Sequence, residues 1–175
     1  MGVYVISGGP GVGKTTIIES LRKRGFKVLE EAARTVAREK FPGKTIKEID
    51  PKKFQNEIFR FQARLLFSHK NKEIVFSDRG LGDTIAYYKL RVGKVPKEVL
   101  DFAMRFRYSG IFILDFLLSY FKDSLRQEDE EEAKKIHGEI INIYRKLGYK
   151  PVLVPFMSVE KRVNFILSKI NKYSK

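Results

Sequence analysis

The sequence predicts an α/β fold: a parallel sheet with helices on both faces. Three observations lead there. Short apolar runs rich in β-branched residues alternate with segments of helical period along all 175 residues. The first run opens directly into a glycine-rich turn and then a helix. No internal repeat, low-complexity tract or interdomain linker breaks the alternation, so residues 1–175 read as one domain.

Val3 to Ser7 is the first strand, and Lys14 to Arg24 the first helix, with Ile17, Ile18 and Leu21 at helical spacing. Gly25 ends that helix as a C′ glycine, and Phe26 to Leu29 forms a second strand. Glu30 to Lys40 reads as helix, and Pro42-Gly43 as a turn. Asp50-Pro51 supplies a cap and a first-turn proline for a helix running to about Lys70. Glu73 to Ser77 is the third strand. Asp83 caps a helix that Gly93 stops, and Pro96 starts another reaching about Arg107. Ile111 to Leu114 is the fourth strand. Beyond a mixed stretch, Phe116 to Gln127, come a helix from about Glu128 to Leu147, a fifth strand at Val152 to Val154, and a last helix from Ser158.

Composition narrows the chemistry. The 43% apolar and 13% aromatic content excludes disorder as the main state. With no cysteine and two isolated histidines, thiolate sites and a zinc cluster are excluded, so any metal must be held by oxygen. His69 and His137 read as structural residues on helical patterns. No signal-peptide pattern opens the chain and no apolar run approaches the ~20 residues of a membrane span, so the expected location is the cytoplasm. A net charge of +14 fits nucleic acid, attraction for phosphorylated small molecules, or a solubility bias alike. The acidic block Glu128 to Glu132 reads as a helix start, where the macrodipole favours negative charge.

The strongest local signal is Gly8-Gly9-Pro10-Gly11-Val12-Gly13-Lys14-Thr15, which fits the phosphate-binding pattern G-x-x-x-x-G-K-[ST] between a strand and a helix. In such a P-loop, backbone N–H groups and the helix N-terminus bind phosphate oxygens, Lys14 reaches the β- and γ-phosphates, and the Thr15 hydroxyl helps hold Mg²⁺. Thr16 completes the expected nucleotide-binding set. The pattern predicts binding of a nucleoside triphosphate, ATP or GTP, on a three-layer P-loop NTPase fold. Asn71-Lys72-Glu73-Ile74 lacks the aspartate of an N-K-x-D guanine-recognition motif, against a classical GTPase. A hexameric mechanical ATPase would need a further helical domain. The compact phosphotransferase remains.

Four further features suit that class. Glu31 and Arg34, in Glu30-Glu31-Ala32-Ala33-Arg34, follow the second strand near the ligand-binding ends of an open sheet, although an ordinary helix start also accounts for them. Asp78-Arg79 ends the third strand. In a sheet of order 2-3-1-4-5 this pair lies near Thr15, where Asp78 would hold Mg²⁺ or accept a proton and Arg79 would clamp the acceptor or the phosphoryl group; a capping aspartate with a solvated arginine is the plainer alternative. Arg126, in Lys122 to Arg126, sits in the stretch expected to close as a small lid, about residues 116–127, or else on a charged surface helix. Asp115 reads equally as a substrate contact or a turn residue, and Pro155-Phe156 as part of a base pocket or of the core.

GGPGVGKT, EEAAR, SDRG with Asp83 and Tyr87 downstream, FILD, KDSLR, YRKLGY and VEKRVNFIL together resemble the P-loop domain family that includes the ribosylnicotinamide kinase domain of the bifunctional NAD-biosynthesis regulator. More broadly, the chain is similar to thymidylate and deoxynucleoside kinases, whose acidic-Arg motif matches Asp78-Arg79 and whose lid arginine corresponds to Arg126. The resemblance implies a sheet of order 2-3-1-4-5, Mg-ATP binding and phosphoryl transfer to a nucleoside- or nucleotide-like acceptor. The other readings are a nucleotide-dependent interaction protein with slow NTPase activity and a polynucleotide 5′-hydroxyl kinase. Oligomeric state is not legible.

Overall fold

A computed structural model describes residues 2–68, 73–116 and 127–173. Five strands, β1 (Gly2–Ser7), β2 (Lys27–Leu29), β3 (Ile74–Asp78), β4 (Gly110–Leu114) and β5 (Val152–Val154), form one parallel sheet of order β2-β3-β1-β4-β5. Seven α-helices are described: α1 (Lys14–Lys23), α2 (Ala32–Lys40), α3 (Pro51–Ser68), α4 (Leu81–Arg91), α5 (Lys97–Arg105), α6 (Gln127–Lys146) and α7 (Val159–Tyr173). The predicted α/β class and strand order are those observed.

Period-two alternation divides the core. Val3 and Val5 of β1 with Ile111 and Ile113 of β4 point to one face and pack against α4, α5 and α6. Tyr4, Ile6, Phe76, Phe112 and Leu114 point to the other and meet Ile17, Ile18 and Leu21 of α1 and Val163, Ile166 and Ile170 of α7. A third, smaller cluster stands apart, where Ala32 and Val36 of α2 close on Phe54 and Ile58 of α3 and on Ile49. It gives α2 and α3 a wall of their own beyond the sheet.

Three boundaries differ from expectation in ways that matter for the site. The third strand extends to Asp78, which pairs with Ile6, so the carboxylate stands at the strand's carboxyl end. The second helix begins at Ala32, leaving Glu31 on extended backbone at its cap. The fourth helix begins at Leu81 with Gly80 as cap. Asp83 is therefore its third residue, reaching back to accept the Gly80 N–H at 3.0 Å. Among the described residues, no helix is long and apolar enough to cross a membrane.

Gly82, in the first turn of α4, lies against the Tyr144 ring of α6. A Cβ there would sit 2.6 Å from two ring carbons. Gly82→Ala is expected to lower the unfolding free energy by about 1–3 kcal/mol, read from urea titrations; an unchanged midpoint would mean that the tyrosine ring yields.

Candidate functional site

The phosphate loop runs from the end of β1 into α1. Gly8 and Gly9 are buried; a Cβ on Gly9 would lie 2.8 Å from the Ala133 carbonyl oxygen of α6, so only glycine lets that helix approach. The Val12 side chain is fully buried in the α1/α7 core and anchors the loop's far side. Thr15 and Thr16 lie exposed in the first turn of α1. Lys14 is buried, and its Nζ donates to the carbonyl oxygens of Gly8 at 3.0 Å and Gly9 at 2.6 Å. Burial, and next the charge of Arg79, lower its pKa to about 7 against the pull of Asp83, Asp78 and Glu31.

The strands carry the second part of the site. Arg79, just past β3, is the one described non-glycine residue with positive φ, at 68°. That conformation costs about 1–2 kcal/mol, and two bonds hold it: the Arg79 N–H donates to Ile6 O at 3.0 Å, and Ser77 Oγ donates to Arg79 O at 2.7 Å. The guanidinium is thereby turned towards α2 and α4, with Nε 2.8 Å from Glu31 Oε1 and Nη1 3.3 Å from Asp83 Oδ1. Burial opposes its charge, but Tyr87, Asp83 and Glu31 outweigh burial and raise its pKa above the ordinary arginine value. Arg34 reaches the other oxygen of Glu31 at 2.8 Å from a largely exposed position. Burial pushes Glu31 up, yet Arg79 and then Arg34 hold its pKa below the usual carboxylate value.

Asp83 is almost wholly buried and fully satisfied. It accepts from Ser7 Oγ at 2.7 Å, Tyr144 OH at 2.8 Å, the Gly80 N–H and Arg79. Asp78 is the contrast, since its Oδ1 is buried without a hydrogen-bond partner among the described residues. Burial first, and Glu31 second, push its carboxyl up to about 6. An oxygen so placed at the end of the strand beside the phosphate loop is open to a proton, a water or a cation.

Beside these groups lies a cavity of about 580 Å³ between α2, α3 and α4. Ile49, Phe54 and Ile58 give it an apolar side, Gln55, Gln62 and Thr84 a polar one, and Glu31, Arg79, Asp83 and Tyr87 its inner end. Thr84 Oγ1 donates to Gln62 Oε1 at 2.6 Å, so the amide nitrogen of Gln62 keeps its donors. Lys47, Arg91 and Glu132 complete the ionic lining, and Arg91 pairs with Glu132.

The structure places Glu31 against both Arg79 and Arg34, and Lys14 and Asp78 within electrostatic reach of Glu31 and Arg79. Arg126, His69 and nearly all of the expected lid lie outside the described residues. Asp115 follows β4, and its Oδ1 accepts the Phe116 N–H at 2.8 Å. His137, with no motif to signal it, accepts the Gly9 N–H on Nδ1 at 3.1 Å and packs against Phe116 at 4.7 Å between ring centroids. That bond requires an unprotonated Nδ1, and burial lowers the His137 pKa. Tyr144 and Arg162 were also missed, because a tyrosine and an arginine inside amphipathic helices carry no local mark of their long-range partners.

The model of the AAA domain matches residues 3–162. The chain belongs to this AAA domain family. Among solved structures it is similar to a NadR protein in complex with NR, at 23% identity and TM-score 0.73 over 98% of this chain and 51% of that one. It is similar to the deoxyadenosine kinase from M. mycoides with dCMP and dCDP, at 19% identity and TM-score 0.63 over 97% and 99%. It is also similar to thymidylate kinase from Ehrlichia chaffeensis, at 14% identity and TM-score 0.67 over 96% and 97%. These likenesses establish a shared P-loop kinase fold. The chain spans about half the length of the NadR chains it matches. No curated protein matches it.

The Asp78 environment sets a pH dependence. A carboxyl whose folded pKa, about 6, exceeds its unfolded value contributes stability that is present at low pH and lost as pH rises through about 6. Asp78→Asn has no such ionisation. Relative to this variant the parent should therefore lose on the order of 3 kcal/mol of unfolding free energy between about pH 4 and about pH 8. Urea titrations across that range check it, and a difference that stays flat with pH contradicts it.

Proposed function

We propose that the protein is an ATP-dependent kinase that phosphorylates a hydroxyl of an uncharged, nucleoside-like small molecule. The observation that supports this best is the placing of the cavity: its inner-end residues Glu31, Arg79 and Asp83 lie within electrostatic reach of Lys14 in the phosphate loop. Triphosphate and acceptor would meet at Asp78. The cavity's charges favour a neutral acceptor. Glu31, Asp83 and Glu132 balance Lys47, Arg79 and Arg91, and both arginines are already paired with carboxylates. To engage either arginine, a phosphorylated acceptor would have to break one of those pairs. The apolar side with two amides suits a flat ring bearing hydrogen-bonding edges.

Each residue then has a task. Lys14 would leave the Gly8 and Gly9 carbonyls for the β- and γ-phosphates, and its charge would be restored by theirs. Glu31 and Arg79 would orient the acceptor. As the acceptor oxygen bonds to the γ-phosphorus and the bond to the β-phosphate oxygen breaks, releasing ADP, the hydroxyl proton would pass to a carboxylate, for which Asp78 with its raised pKa is suited. Thr15 Oγ1 and the unpartnered Asp78 Oδ1 are hard oxygen donors that fit Mg²⁺, with Asp78 acting through water. When bound, Mg²⁺ supplies neutralisation of phosphate charge. Arg126, on the expected lid, would close over the phosphates, excluding water.

The test is transfer of labelled γ-phosphate from Mg-ATP to a panel of nucleosides, nicotinamide riboside, nucleoside monophosphates and 5′-hydroxyl oligonucleotides. Transfer to a nucleoside, lowered about 10²–10³-fold by Lys14→Ala, is the expected result. Slow release of free phosphate with no acceptor labelled, or labelling of monophosphates alone, would contradict the reading.

A further inference from the structure

Arg162, in the first turn of α7, is 2% exposed and heads the large, fully buried side chains among the described residues. Its three donating nitrogens each find a backbone carbonyl on a different loop. Nη1 donates to Val12 O in the phosphate loop at 2.8 Å, Nη2 to Asp115 O after β4 at 2.8 Å, and Nε to Pro155 O after β5 at 3.0 Å. The Phe156 ring lies over the guanidinium, 5.8 Å from its centroid. The nearby acid, Asp115, turns its Oδ1 to the Phe116 N–H. Burial lowers the Arg162 pKa from the ordinary arginine value, and Asp115 opposes this. An arginine keeps its charge in such a place.

A purely structural tie across three loops would not require a cation, whose burial is costly even with Asp115 nearby. Behind a phosphate loop the cost has a use. In a trans peptide C=O and N–H point in opposite directions. Holding Val12 O towards α7 therefore turns the Gly13 N–H away from α7, at the residue that caps α1 with φ 86°. The buried charge adds a positive potential behind the same peptide, where a polyphosphate gains from it.

We infer that Arg162 is a positioning residue for triphosphate binding: it fixes the Val12–Gly13 peptide so that the loop is set for phosphate before the ligand arrives, and links that setting to the loops after β4 and β5. The inference rests on the nucleotide-binding reading above. Arg162 acts through the loop and touches no ligand itself.

The experiment is calorimetric titration of Mg-ATP into the parent, Arg162→Lys and Arg162→Ala, with melting temperatures measured alongside and guanidinium ion at tens of millimolar added to the alanine variant. Lysine keeps a charge but cannot span three carbonyls. Arg162→Lys should still fold cooperatively yet bind Mg-ATP about 10- to 100-fold more weakly, and guanidinium should restore affinity to Arg162→Ala. Parent-like affinity in Arg162→Lys overturns the inference. So does a loss of affinity in both variants that guanidinium leaves unrepaired, or a failure of both to fold even with guanidinium, either of which makes Arg162 a core residue alone. A parent chain that binds no Mg-ATP instead refutes the nucleotide-binding reading, and the inference falls with it.

Discussion

The buried carboxylate of Asp83 is the interaction on which the site depends. Four donors converge on it from three parts of the chain: Ser7 at the end of β1, the neighbours Arg79 and Gly80 between β3 and α4, and Tyr144 from α6. An isolated carboxylate in that position would be prohibitive, whereas one with every lone pair engaged is stable and cooperative. The sheet, α4 and α6 are thus held in one register immediately behind the phosphate loop. Tyr108 strengthens the same corner by accepting the Leu81 N–H at 3.0 Å.

Two arginines, Arg79 half-buried and Arg162 buried, divide the electrostatic work. Arg79 is compensated by Glu31 and Asp83, so it gives shape and direction to the cavity's inner end with little net field. Arg162 is held by carbonyl oxygens, with the Asp115 charge nearby, and its guanidinium stands behind the phosphate loop. The overall charge of +14 says little about either, because what matters is where each cation finds its counterpart.

Much of the fold was legible because its signals are local. Alternating periods marked every strand, and the G-x-x-x-x-G-K-[ST] spacing placed Lys14 and Thr15 without tertiary information. The pair Asp78-Arg79 was legible as strand-end chemistry. What could not be read were partners separated by long stretches: Arg79 and Glu31 are 48 residues apart, and Arg162 and Val12 are 150 apart. Asp83 reads as a helix cap from its position near a helix start, while its tie to Ser7 spans 76 residues. Arg162 did leave a trace. It precedes Val163 and stands four residues before Ile166 on the buried stripe of α7, a place where a charge requires an explanation.

The most direct test of this account is the unfolding free energy of Asp83→Asn beside Tyr144→Phe, by urea titration. An asparagine cannot accept all four donors and turns a donor of its own towards the Gly80 N–H or Ser7. The expected loss is about 3–5 kcal/mol for Asp83→Asn, against about 1–2 kcal/mol for removing the single Tyr144 donor. An Asp83→Asn variant within about 1 kcal/mol of the parent would show that the carboxylate does not hold the site together.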